Sequence, residues 1–298
     1  AKKRAIHKQE GEPYSLSTNL VRVKSRIVKS TALLRGVAVW ENERKASCQV
    51  CVTVSELEKY TWYRPIRSHL DAAILYTGRG YDLSSESWKL AKSGRRGDTE
   101  LVLQSETDLR PGDFVLLEAS LTERWKNQVM TDASYLPRHY LFKVVGAKGE
   151  KVFLNQPLRI DFPLADAPVL KEHHVIQNCG VEALTIEQTR KLWSHAIAFS
   201  NSVNCWAENV RVKQPGRNGI HLSMSKFFEL RDAAIEDGWY KGGGGTAYLQ
   251  FGKSWDCLID NVQTKNLRHA PVFNWGAAGN VVRNSTFIGS DLQWHSGW

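Results

Sequence analysis

Four polar clusters beyond residue 210 hold the side chains best suited to chemistry: Arg217-Asn218, Trp239-Tyr240-Lys241, Arg268-His269, and Asp291 followed by Trp294-His295. A lysine or histidine acts as a general base when its surroundings bring its pKa toward neutrality. Lys241 is the first candidate for that role. Arg268 would lower a neighbouring lysine's pKa by like charge and grip a carboxylate with both arms of its guanidinium. His269 suits protonation of a departing oxygen, or the base role itself. The set fits removal of a proton beside a carboxylate. Arg217, Asn218, Trp239, Tyr240, Asp291, Trp294 and His295 would then be substrate contacts. The competing chemistry is hydrolysis by two carboxyl groups, for which Asp237 and Asp291 are the pair.

Each candidate has a structural alternative. Lys241 would cap a solvent-facing loop, His269 would be a hydrogen-bonded structural histidine, and Asp291 and His295 would pair with their neighbours. His221, on the outward phase of a strand, is a weaker candidate. Gly242 to Gly245 lacks the Lys-Ser/Thr and the strand–helix frame of a phosphate loop. The run instead lets a ligand or a neighbouring loop approach the backbone closely.

A repeat must bring these clusters together. Five segments align without gaps: Asn178 to Ile186, Asn204 to Val212, Phe227 to Ile235, Asp256 to Thr264, and Gly279 to Phe287. Their starts lie 26, 23, 29 and 23 residues apart, the length of one solenoid coil. Val181, Ala207, Leu230, Ile259 and Val282 share one apolar column. Leu184, Val210, Ala233, Val262 and Ser285 share another, two residues before the column of Ile186, Val212, Ile235, Thr264 and Phe287. That period of two is a strand with one face inside. Cys179, Cys205 and Cys257 fall in a ladder and read as small buried hydrophobes. Asn209, Asp232, Asn261 and Asn284 share a column suited to left-handed corners. A second strand belongs to each coil: Ile197 to Phe199, Ile220 to Leu222, Leu249 to Phe251, and Val272 to Trp275. Counted from each coil's start, Arg217, Tyr240, Arg268 and Asp291 fall at position 12 or 13. They should therefore form one vertical strip, at about 4.8 Å per coil.

The pattern predicts an all-β, right-handed parallel β-helix with a small inserted β subdomain. Its expected bounds are an N-terminal segment with early coils over 1–95, the insertion over 96–155, and the site-bearing coils over 156–298. Leu20 to Trp40 reads as early coils, whereas the stretch from 41 to 95 carries no clear pattern. Gly97 to Glu118 reads as strand, Pro-Gly turn, strand, and Tyr140 to Leu154 as a hairpin turning at Gly146 to Gly149.

Trp239 to Thr246, Leu267 to Pro271 and Ser290 to His295 resemble segments of the pectate-lyase-like β-helix proteins, among bacterial members that act on polysaccharides. The resemblance covers roughly 95 to 298. It implies a polysaccharide lyase acting on a uronate-containing glycan, with a lysine and an arginine one coil apart as in alginate-type lyases. A glycoside hydrolase and a non-catalytic carbohydrate-binding or adhesive β-helix are the alternatives, because one fold hosts many activities.

Composition agrees with an anionic partner. The chain has 40 Lys+Arg against 31 Asp+Glu, a net +9, and such an excess concentrates anions near the surface. No nucleic acid is expected, because the basic residues are scattered. No membrane span and no cofactor are expected. Some lyases of this fold use calcium, but no acidic cluster supplies its 6–8 oxygen ligands. Cys48 and Cys51 form a lone pair without a second at zinc spacing. The start, Ala1-Lys2-Lys3-Arg4, has no apolar leader behind it. An extracellular, cell-surface or periplasmic location is nevertheless expected for a glycan-acting protein. The last coil is expected to be covered by a partner or by further chain, since an open β-helix end exposes unpaired strands.

Overall fold

The computed structural model describes residues 49–51, 72–78, 80, 86–130, 132, 138–188, 191, 193–241 and 247–290. The predicted early coils at Leu20 to Trp40, the Cys48 partner of Cys51, the Gly242 to Gly245 run, and Asp291, Trp294 and His295 lie outside these residues.

The chain is a right-handed parallel β-helix of about four turns, joined to an inserted antiparallel sheet. Strands β1 (Gln49–Cys51) and β2 (Ala72–Thr77) come first. The insertion follows with β3 (Ser87–Lys89), β4 (Glu100–Val102), β5 (Phe114–Ala119), helix α1 (Glu123–Val129), β6 (Arg138–Lys148), β7 (Lys151–Leu154) and β8 (Val169–Glu172). The coils then run through β9 (Ile176–Gln177), β10 (Gly180–Glu187), β11 (His195–Ser200), β12 (Ser202–Val203), β13 (Trp206–Lys213) and β14 (Ile220–Lys226). They continue with β15 (Glu229–Glu236), β16 (Tyr248–Trp255), β17 (Leu258–Lys265), β18 (His269–Asn274), β19 (Val281–Arg283) and β20 (Thr286–Ile288).

Each coil gives one strand to each of two parallel sheets. Sheet A stacks β2, β11, β14, β16 and β18; sheet B stacks β10, β13, β15 and β17, then β19 and β20. In sheet B the register is the one read from the repeat: Val181 lies opposite Ala207, then Leu230, Ile259 and Val282. The coils through β17 bury the same columns, so the core is a ladder of like residues, whereas Val282 in β19 is exposed. Phe199, Phe228, Phe251 and Phe273 form its aromatic spine, with successive ring centroids 4.8, 6.2 and 5.7 Å apart. Cys179, Cys205 and Cys257 are buried free thiols in this core, and burial pushes Cys257 up to about 12.

Corners need left-handed backbone, which Asn and Asp tolerate because the side chain bonds locally. Asn209, Asp232, Asn261 and Asn284 sit at φ of 51°, 50°, 53° and 51°. Asn261 donates to Asp232 at 2.6 Å, which ties successive corners together.

The inserted sheet orders β3-β8-β5-β6-β7-β4. It begins at Ser87 and closes with Glu172, wider than the 96–155 segment, because β3 and β8 pair with each other and β8 also pairs with β5. The strands flanking the Pro111-Gly112 turn do not pair together: β4 joins β7, and β5 joins β6 and β8. The sheet packs on the coils through Val203 and Trp255, both buried. Lys226, also buried, donates to the Leu141 carbonyl at 2.7 Å and pairs with Asp256 at 3.2 Å. A cation this deep persists only with such partners. Among the described residues no helix is long and apolar enough to cross a membrane.

Candidate functional site

In sheet A, the inward residues Ile74, Ile197, Ile220 and Leu249 join the core. The outward phase carries Leu75, Ala198, His221, Gln250 and Val272 in one register column. This outward face is mostly covered: His195 and Asn218 are fully buried, and His221 and Gln250 are 8% and 9% exposed. A buried polar group needs partners. Asn218 Nδ2 donates to Gln250 Oε1 at 2.8 Å, and His221 Nδ1 lies 3.0 Å from the same oxygen. His221 Nδ1 also lies 3.4 Å from Asn218 Nδ2, so it donates toward Gln250 in one tautomer and accepts from Asn218 in the other. Asn218 Oδ1 accepts from the Tyr248 backbone N–H at 3.1 Å. The ring of His195 stacks on that of His221, with centroids 4.3 Å apart and planes at 13°.

The network opens toward β18. Tyr248 is 3% exposed, whereas Arg268, His269 and Asn274 are half-buried. Arg268 Nη1 donates to the Tyr248 hydroxyl at 3.3 Å, and the His269 ring lies 4.9 Å from the Tyr248 ring. Register explains the meeting, since His269 pairs directly with Tyr248. A guanidinium, a phenol and an imidazole converge here. Together they can hold a carboxylate, accept a proton and supply one.

The remaining predicted residues divide into several groups. Arg217 and Arg268 share a corner: the Ala247 N–H donates to the Arg217 carbonyl, and the Arg268 N–H donates to the Ala247 carbonyl at 2.8 Å. Ala247, rather than Lys241, stands between them. The 29-residue coil is six residues longer than the 23-residue coils on either side of it, and counting from the coil's start takes no account of where that length falls. The single strip through Tyr240 and Lys241 is therefore corrected at Ala247, and Lys241 is exposed. Asn218 is an interior bridge rather than a surface contact. Trp239 Nε1 donates to the Gln188 carbonyl at 2.7 Å, and the Tyr240 hydroxyl donates to the Lys191 carbonyl at 3.1 Å. Asp237 occupies a left-handed corner at φ 58° and accepts from Asn266 at 2.7 Å, a structural post. Among the described residues no group of three or more His, Cys, Asp or Glu could hold a metal ion.

His195, Tyr248 and Gln250 were missed by the sequence reading. Their signal lies in the outward phase of sheet A, whose strands contain no Asp or Glu at all, while those of sheet B are rich in both.

No protein-family model and no curated protein matches the chain. Solved structures do match in part. The tailspike protein of Pseudomonas phage LKA1 is 15% identical with a TM-score of 0.44, covering 67% of this chain and 33% of that one. The tailspike of the Acinetobacter baumannii bacteriophage AP22, solved with a capsular saccharide, is 10% identical with a TM-score of 0.45, covering 67% and 34%. A tailspike of Pseudomonas phage phi297 is 15% identical with a TM-score of 0.41, covering 68% and 42%. The chain thus spans between a third and about two fifths of the length of these proteins.

Proposed function

We propose that the chain acts on an acidic, uronate-containing polysaccharide and cleaves it by β-elimination at the Arg268–His269 corner of sheet A's outward face. One observation carries the reading: Arg268, Tyr248 and His269 converge on a face whose strands contain no carboxylate. Hydrolysis by the usual mechanism needs two carboxyl groups about 5 to 10 Å apart. Of the two proposed for it, Asp237 is committed to a corner.

Arg268 neutralises the uronate carboxylate, which acidifies the adjacent C–H. His269 takes that proton, and the electron pair left behind forms a carbon–carbon double bond. The glycosidic C–O bond at the neighbouring carbon breaks, and the departing oxygen takes a proton from the Tyr248 hydroxyl. The net charge of +9 favours such a polyanion. Its substrate places the protein at an extracellular, cell-surface or periplasmic location.

The test is incubation with polygalacturonate, alginate and hyaluronan. Parallel growth of ultraviolet absorbance, from the unsaturated uronate, and of reducing ends is expected with at least one polymer. Reducing ends without absorbance would mean hydrolysis and overturn the elimination. Binding without any product would leave a carbohydrate-binding protein.

A further inference from the structure

On the same corner as Arg268, three coils away, stands an aromatic platform that the chemistry above does not use. Trp193 is 45% exposed, a large apolar surface to leave in water. It is nonetheless held firmly. Tyr240 meets it edge-on, with ring centroids 5.2 Å apart and planes at 72°. The Tyr240 hydroxyl donates to the Lys191 carbonyl at 3.1 Å, and Lys191 Nζ lies 4.6 Å from the Tyr240 ring centre. The Arg217 guanidinium lies 5.7 Å from the Trp193 ring, and the Arg217 N–H donates to the Ser194 carbonyl at 2.8 Å. One cation, Arg217, therefore lies by the exposed indole, and a second, Lys191, lies over the Tyr240 ring that supports it, on the corner that stacks through Ala247 to Arg268.

From this geometry we infer a second sugar-binding subsite: Trp193 stacks on the apolar face of a pyranose ring while Arg217 and Lys191 take that ring's carboxylate. The inference rests on the acidic-glycan reading above and adds a specificity site to it. An aromatic face buries the C–H side of a sugar without demanding directional bonds, and a cation at its rim makes the choice of an acidic ring. Tyr240 acts from behind as the support that fixes the indole. The corner stacking orders the chain of sugars, with one ring on Trp193 and another at Arg268, three coils away.

Affinity electrophoresis through gels containing polygalacturonate, alginate, hyaluronan or neutral dextran tests the assignment. The full chain should be retarded by at least one acidic polymer and not by dextran. Trp193→Ala should weaken that retention at least tenfold, Trp193→Phe should restore most of it, and Arg217→Gln should weaken it and flatten its dependence on salt. Wild-type retention by Trp193→Ala would overturn the subsite, as would equal retention by dextran or no retention by any polymer. Strong retention of a wild-type protein that cleaves none of the polymers would instead sink the elimination and leave the platform standing.

Discussion

The two parallel sheets share one geometry and present opposite outward faces. On sheet B, one column runs Glu182, Glu208, Arg231, Asp260, Arg283. Arg231 and Arg283 reach Asp260 at 3.2 and 2.8 Å, and the guanidiniums hold its carboxyl below the usual range. On sheet A the corresponding column is Leu75, Ala198, His221, Gln250, Val272, with a covered amide and imidazole network around it. Water solvates the first face, and its ion pairs add little. The second must satisfy its polar groups internally, at a cost that a solenoid without a site would avoid. The difference supports the proposed place of the site: charge stands freely where it is solvated, and uncharged polarity is organised on the covered face.

The largest effect is expected at the Arg268–His269 corner of sheet A. His269→Ala and Arg268→Ala should each lower turnover on a cleaved acidic glycan by about 10²–10⁴-fold, with unchanged circular dichroism. Lys241→Ala should keep its rate within a few-fold, since the register takes it off the corner. Next comes the interior of the network. Gln250→Leu removes the oxygen shared by Asn218 and His221, and urea unfolding should show a loss of about 1–3 kcal/mol.

Acid separates the inserted sheet from sheet B by pH. Burial holds His139 down to about 3, helped by Lys253, and holds His173 down to about 4 against its bond to Asn201. The unfolded chain takes up these protons near 6.5, the folded chain only well below, so stability falls as pH drops from about 6.5 toward 4. Melting temperature should decline across that window, and a His139→Gln, His173→Gln variant should flatten the decline. The Asp260 pairs of sheet B would be lost only at lower pH still. The smallest effect is expected there: Arg283→Ala should leave both melting temperature and turnover nearly unchanged.

Sheet B was legible in the sequence because β13, β15 and β17 carry one uninterrupted strand pattern, and alternation fixes register wherever one side is buried. The Asn and Asp corners were legible for a related reason, since few residues tolerate their backbone. Sheet A was legible as strands but not as a site. Alternation tells which residues face outward, as it did for His221, yet not whether that outside is water. The extra length of the 29-residue coil upset the count that put Lys241 on the corner, and nothing in the local sequence marks where such length falls. Tyr248 and Gln250 became site residues only through pairing with β14 and β18.

The most direct test of the account compares two double variants, one from each face, on the same acidic glycan. Arg268→Ala with His269→Ala should lose product formation at least a hundredfold, while Arg231→Ala with Arg283→Ala stays within twofold of the parent, both folded by circular dichroism. Equal activity of the two, or loss confined to the sheet B variant, would contradict the assignment of the reaction to sheet A.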